Sequence, residues 1–192
     1  MLISGNFSDF AVTMVIGTIF GWIGDYFLHA KPSNAYFATG FVSFLIGHIA
    51  YIIAFVRATP VISADYDMFN LTEVLILIGI VAAAMVISRV LKVKFAPRIV
   101  ELAIWIYVIT ITIMLVRASA LGMCYWTTGG ENGLIAFLVL TLGAVFFLMS
   151  DVTLGLIIFG GQKKNYPLKI FNILTYFWGQ VMLASSILFI NA

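Results

Sequence analysis

The chain has 192 residues, 63% of them hydrophobic and only 9% charged, with a formal net charge of +2 and a mean hydropathy of +1.13. Soluble domains average roughly 25% charged residues, so this composition excludes a soluble core and describes one integral membrane domain over residues 1–192. No basic patch speaks for nucleic acid, one cysteine (Cys124) excludes an internal disulfide, and two histidines (His29, His48) are too few for a three-histidine zinc centre.

A transmembrane helix needs about 20 predominantly apolar residues. Six segments qualify, about 10–29, 36–57, 71–92, 98–117, 133–160 and 168–190, and the expected fold is an all-α polytopic bundle. The first ten residues lack a positive region and carry Asp9, so a cleavable signal peptide is not expected. Turn formers and charges fill the loops "HAKPSN", "RATPVISADYD", "KVKFAP", "CYWTTGGEN" and "GGQKKNYP".

Helix one places Gly17, Gly21 and Gly24 about one turn apart and ends them on Asp25. Small residues at such spacing let backbones approach closely in a membrane. Helix two aligns Gly40, Phe44, Gly47, His48 and Tyr51 on one stripe. Helix three adds nothing to this polar set. Helix four carries Glu101 one turn after Pro97, then Tyr107, Thr110, Met114 and Ala118. The fifth segment runs 28 residues, enough to tilt or to project a turn, and aligns Gly143, Phe147, Ser150, Asp151 and Gly155. Helix six presents Asn172, Tyr176 and Gln180 at i, i+4 and i+8.

Lysine and arginine placement orients the bundle. Lys31, Arg89, Lys92, Lys94, Arg98, Lys163, Lys164 and Lys169 cluster on one side, eight of ten basic residues, leaving Arg57 and Arg117 on the other. The opposite loops hold Asp65, Asp67 and Glu131. The basic loops are therefore expected in the cytoplasm and both termini outside. Under that topology, polar side chains from five helices converge on the cytoplasmic half, and Asp25 lies roughly 6–8 Å inside it at about 1.5 Å of rise per residue.

Ionisable residues inside a membrane are costly and usually functional, which singles out Asp25 and Asp151. His48 either bridges helices by a hydrogen bond or serves the same site. Tyr51, Tyr107, Tyr176 and Gln180 are site candidates that also suit packing, and Glu101 is either a site residue or a solvated helix end. The chain has no GxSxG, HExxH, GxxxxGK[ST] or GxGxxG motif. Two deep aspartates with a histidine, tyrosines and amides suit proton transfer or cation handling, without naming a substrate.

The order and spacing of these blocks resemble the YhhN-type membrane family. "GDYFLH" looks like its GD element, and "FATGFVSFLIGHIAYIIAF" like its helix with glycine, phenylalanine, histidine and tyrosine. "PRIVELAIWIYVITITIMLVRASA" is similar to its proline-led helix through Pro97, Tyr107, Met114 and Ala118. "LGAVFFLMSDVTLGLIIF" looks like its SD helix, and "LTYFWGQVML" like its closing helix through Tyr176 and Gln180. Family members commonly carry two further N-terminal helices ending near a Lys-Pro motif, so the chain is expected to be a shortened member.

The resemblance implies hydrolysis of the vinyl-ether bond of a lysoplasmalogen, a lysophospholipid substrate taken from the bilayer, with no cofactor and no metal. For that reaction Asp25, Asp151 and His48 are the expected catalytic residues, and Tyr51, Glu101, Tyr107, Tyr176 and Gln180 the expected substrate-binding ones. The cell (plasma) membrane is the expected location, and exposed glycine-rich faces leave room for a homodimer. The reading from another class is a small proton-coupled transporter or lipid-binding membrane protein, since paired intramembrane aspartates also serve relays. No inverted repeat supports it.

Overall fold

In the computed structural model of the protein, residues 8–30, 33–91, 93, 95 and 97–190 are described, with the His29 side chain outside that set. Lys31, Lys92 and Lys94, three of the expected basic loop residues, lie outside the described residues. Among the described residues six α-helices form: α1 (Asp9–Ala30), α2 (Asn34–Ile62), α3 (Leu71–Val90), α4 (Arg98–Thr127), α5 (Gly133–Phe159) and α6 (Tyr166–Ser185). All six are long and apolar enough to cross a membrane. A 3₁₀ turn, Ser186–Leu188, follows α6.

Local chemistry explains most of the boundaries. Ser8 accepts from the Ala11 N–H at the start of α1, Ser33 caps α2 through Tyr36, and Asn70 caps α3 through Glu73. Asn165 caps α6 through Leu168, with Pro167 in the first turn. Each cap satisfies an amide that the helix leaves without a partner.

Two helices outrun their expected ends. α2 continues from Arg57 to Ile62 and takes Pro60 into its last turns. α4 continues ten residues past Arg117 to Thr127, so Cys124–Thr127 is helix and the loop begins only at Thr128. The stretch "ASALGMCYWT" contains no proline, and its one glycine, Gly122, sits where a Cβ would come within 2.8 Å of the α5 backbone at Phe137. The chain stops only at Gly129, which takes a positive φ of 79°. In the other direction, α6 starts two residues earlier than expected and gives way to the 3₁₀ turn after Ser185.

Packing proceeds from α1 to α2, α2 to α4, α4 to α5 and α5 to α6, and α6 returns to α1. Five helices thus close a ring, and α3 leans against α4 alone. The α1–α2 seam is made by glycine: Cβ atoms on Gly40 and Gly47 would each fall 3.0 Å from a carbonyl oxygen of α1, at Gly24 and Gly17. Gly179 performs the same service between α6 and α5, where a Cβ would lie 2.9 Å from the Phe147 amide nitrogen. At the end away from the basic loops the ring is filled by Phe10, Met14, Phe55, Leu121, Leu140, Leu183 and Ile190.

These seams give a test of packing. Gly179→Leu forces α5 and α6 apart and should destabilise the detergent-solubilised protein by about 1–3 kcal/mol, read as a lower Tm. Gly79→Leu, where a Cβ on α3 meets nothing within 4 Å, should leave the Tm unchanged or higher.

Candidate functional site

Three helices meet at one carboxylate oxygen. Tyr107 on α4 donates its hydroxyl to Asp151 Oδ2 on α5 at 2.7 Å. His48 on α2 places Nε2 3.1 Å from the same oxygen and 2.9 Å from the Tyr107 hydroxyl. Because Tyr107 spends its proton on Asp151, Nε2 faces two acceptor oxygens and is the protonated nitrogen. Nδ1 is buried with no hydrogen-bond partner among the described residues. A proton there would be an unsatisfied buried donor costing about 1–3 kcal/mol. The hydrogen bonds therefore place a proton on Nε2. Its ring is wedged edge-on against Tyr107 and Phe147, with centroids 5.3 and 4.8 Å away.

A second chain of polar contacts crosses the ring. The Tyr51 hydroxyl on α2 donates to Gln180 Oε1 on α6 at 2.7 Å and lies 3.1 Å from Thr18 Oγ1 on α1. The Gln180 amide then reaches the Tyr176 hydroxyl at 3.3 Å. Gly21 leaves the room for that amide, since a Cβ there would fall on Gln180 Nε2. One turn further toward the basic end, Asn172 Nδ2 clasps α5 through the Ser150 carbonyl and hydroxyl at 2.8 and 2.9 Å.

Between α1, α5 and α6 lies a cavity of about 170 Å³ whose polar wall is Asp25, Ser150, Asp151, Asn172 and Tyr176. Asp25 and Asp151, from helices 126 positions apart in sequence, thus share one space. A second cavity of about 330 Å³ lies between α2, α3, α4 and α5 and is lined almost wholly by apolar side chains, with Tyr107 and Asp151 at its polar limit. Leu28, Phe44, Asp151 and Leu154 line both. Asp151 therefore stands where a polar compartment meets an apolar one.

Of the residues singled out from sequence, Asp25, Asp151 and Tyr176 line the polar cavity, and Tyr107 lines the apolar one. His48 touches the site through Asp151 and Tyr107. Tyr51 and Gln180 are buried behind the wall and reach it through Tyr176. Glu101 is exposed in the first turn of α4 and lines neither cavity. There its charge complements the positive end of the helix dipole. Lys163 is exposed as well, and Lys169 lies 5.5 Å from the Tyr166 ring. Among the described residues no cluster of His, Cys, Asp or Glu is placed to hold a metal.

Sequence reasoning missed an ion pair at the opposite end. Arg117 is fully buried on α4, and its Nη1 meets both oxygens of Glu73 on α3 at 2.8 and 2.9 Å. Its Nη2 donates to Thr59 on α2 at 2.9 Å, while Nε has no hydrogen-bond partner among the described residues. Tyr66 and the Phe69 amide also donate to Glu73, and both rings lie beside the guanidinium. Burial and the Glu73 carboxylate push the Tyr66 hydroxyl up to about 12, so it stays a donor over the usual pH range. Phe69 takes a positive φ of 61°, a strained conformation for a bulky residue. The available signal was a pair of unlike charges within apolar helices at the same end of the bundle, neither of which can stay unpaired there.

Breaking this pair from one side should cost about 3–5 kcal/mol, whereas replacing both partners with apolar residues is often nearly neutral. Glu73→Leu and Arg117→Met should therefore each lower the Tm sharply, and the double variant should recover most of the loss. An additive loss in the double variant, measured by thermal unfolding in detergent, contradicts the pairing.

Comparison with curated proteins and with solved structures returns no match to the chain. Comparison with protein families matches residues 1–187, nearly the whole length, and with the helices and blocks described above it establishes that the chain belongs to the YhhN family.

Proposed function

We propose that the protein is a membrane-embedded hydrolase that cleaves the vinyl-ether bond of a lysoplasmalogen, releasing a fatty aldehyde and a glycerophospho-amine. The observation that carries this reading is the shared cavity of Asp25 and Asp151 at the border of a polar and an apolar compartment. A lysoplasmalogen has its reactive bond at the corresponding border, between head group and chain.

The reaction asks for two things. A proton must be delivered to the β-carbon of the enol ether, and the resulting oxocarbenium ion must be stabilised until water adds. The hemiacetal then collapses, returning a proton and separating aldehyde from alcohol. Glycosidases divide a similar task between two carboxyl groups in unlike surroundings. Asp151, whose Oδ2 accepts from Tyr107 and lies 3.1 Å from His48 Nε2, takes the role of stabilising the cation. Asp25, on another helix of the same cavity, takes the role of proton donor. His48 and Tyr107 position Asp151, while Tyr176, held by Gln180 and Tyr51, shapes the polar wall.

The apolar filling of the end away from the basic loops supports an enzyme over a transporter. Buried Phe55, Leu121, Leu140 and Leu183 fill that end, which speaks against a pore open on both faces. The site lies nearer the basic end, which the positive-inside tendency assigns to the cytoplasm.

Asp25→Asn and Asp151→Asn should each lower aldehyde release by about 10²-fold or more, the scale of general acid–base catalysis. Purified protein is incubated with a lysoplasmalogen and, separately, with an ester lysophospholipid, and only the first should yield product. Wild-type rates in both variants, or no aldehyde from the native chain, overturn the reading.

A further inference from the structure

We propose that the apolar cavity between α2, α3, α4 and α5 seats the single aliphatic chain of a lipid, and that Gly155 sets the room available to that chain. The proposal rests on the functional reading only for the polar end of the ligand; the seat itself is argued from the shape and chemistry of the cavity.

The cavity adjoins the polar one, and Leu28, Phe44, Asp151 and Leu154 line both. A ligand held at Asp25 and Asp151 by its polar part has its apolar part directed here. Its volume of about 330 Å³ falls at the lower end of the roughly 300–1,000 Å³ typical of small-molecule sites. That suits one chain better than the two of a diacyl lipid.

Access also follows from the packing. Although consecutive, α2 and α3 do not pack against each other, and α3 rests on α4 alone. Both nevertheless line the cavity, α2 through Phe37 and Phe41 and α3 through Ile80 and Ala84. The space between them faces the bilayer, so a chain can slide in sideways without leaving hydrocarbon. The Glu73–Arg117 pair fastens α3 at its far end and leaves the half beside the cavity held by apolar contact.

Gly155 is the position that keeps this volume open. It follows Asp151 by four residues, one turn toward the basic end on the same face of α5. It lines the cavity, and a Cβ there would meet nothing within 4 Å. The seam glycines Gly47 and Gly179 differ, because there a Cβ would strike backbone. A glycine inside a helix costs about 1 kcal/mol relative to alanine, and close helix packing does not account for it here.

The test measures binding by native mass spectrometry of the detergent-solubilised protein, using palmitoyl and octanoyl lysophosphatidylethanolamine. These ester lipids are not substrates of the proposed reaction, so binding is read without turnover. The native chain should prefer the palmitoyl lipid. Gly155→Phe, which fills the cavity, should weaken palmitoyl binding roughly tenfold or more and narrow the preference over octanoyl, while Gly155→Ala behaves as the native chain. Ala84→Phe fills the same volume from the α3 wall and repeats the test should Gly155→Phe fail to fold. Unchanged palmitoyl affinity in the folded variants, or no chain-length preference in the native chain, overturns the proposal. Chain-selective binding without aldehyde release overturns the hydrolase reading alone. Aldehyde release that Gly155→Phe and Ala84→Phe leave untouched for long chains overturns the seat alone.

Discussion

Everything at the centre of this bundle depends on how one carboxylate is held inside a membrane. Asp151 cannot remain charged among apolar helices without donors, and it draws them from two neighbours, Tyr107 and His48. That single oxygen therefore ties α5 to α4 and α2. The requirement propagates: the Tyr107 proton is committed to Asp151, which places a proton on His48 Nε2, and Nδ1 has no hydrogen-bond partner among the described residues. A network held this tightly fixes the Asp151 side chain against α2 and α4.

The two ends of the molecule solve the same electrostatic problem differently. At the end away from the basic loops, Glu73 and Arg117 neutralise each other with Thr59, Tyr66 and Phe69 around them, and the surrounding core is closed. Nearer the basic end, Asp25 and Asp151 are two carboxyl groups that line one cavity. A buried ion pair fastens α3 and the α2–α3 loop to the ring, whereas the two aspartates face open space. One arrangement is closed by its own partners and the other opens onto a cavity.

Glycine marks the same division. Along α1–α2 and α5–α6 it removes side chains so that helices touch, through contacts at Gly17, Gly24, Gly143 and Gly179. Dispersion between closely packed backbones is a major source of helix association in lipid, where the hydrophobic effect contributes little. At Gly155 it removes a side chain and nothing moves in. A ring of tightly packed helices thereby carries an open flank beside α3.

Composition and run length by themselves determined that the chain crosses a membrane in six helices, because each backbone span must satisfy its own hydrogen bonds in hydrocarbon. The cost of an isolated carboxylate made Asp25 and Asp151 stand out, and helical spacing put Tyr176 and Gln180 on one face. Helix starts fell where expected at Leu71, Arg98 and Gly133, while α2 and α6 begin two residues earlier than expected. Helix ends were not legible where nothing stops a helix, which is why α4 runs ten residues past Arg117. Only the tertiary structure decided which charges pair. Glu73 does not stand out and Arg117 counts only as a basic residue on the outer side until α3 lies against α4, and Glu101 looks like a site residue until its helix faces it outward. Spacing along one helix fixes a face, but the neighbour that face meets depends on how six helices pack, and that long-range information is not carried by any single segment.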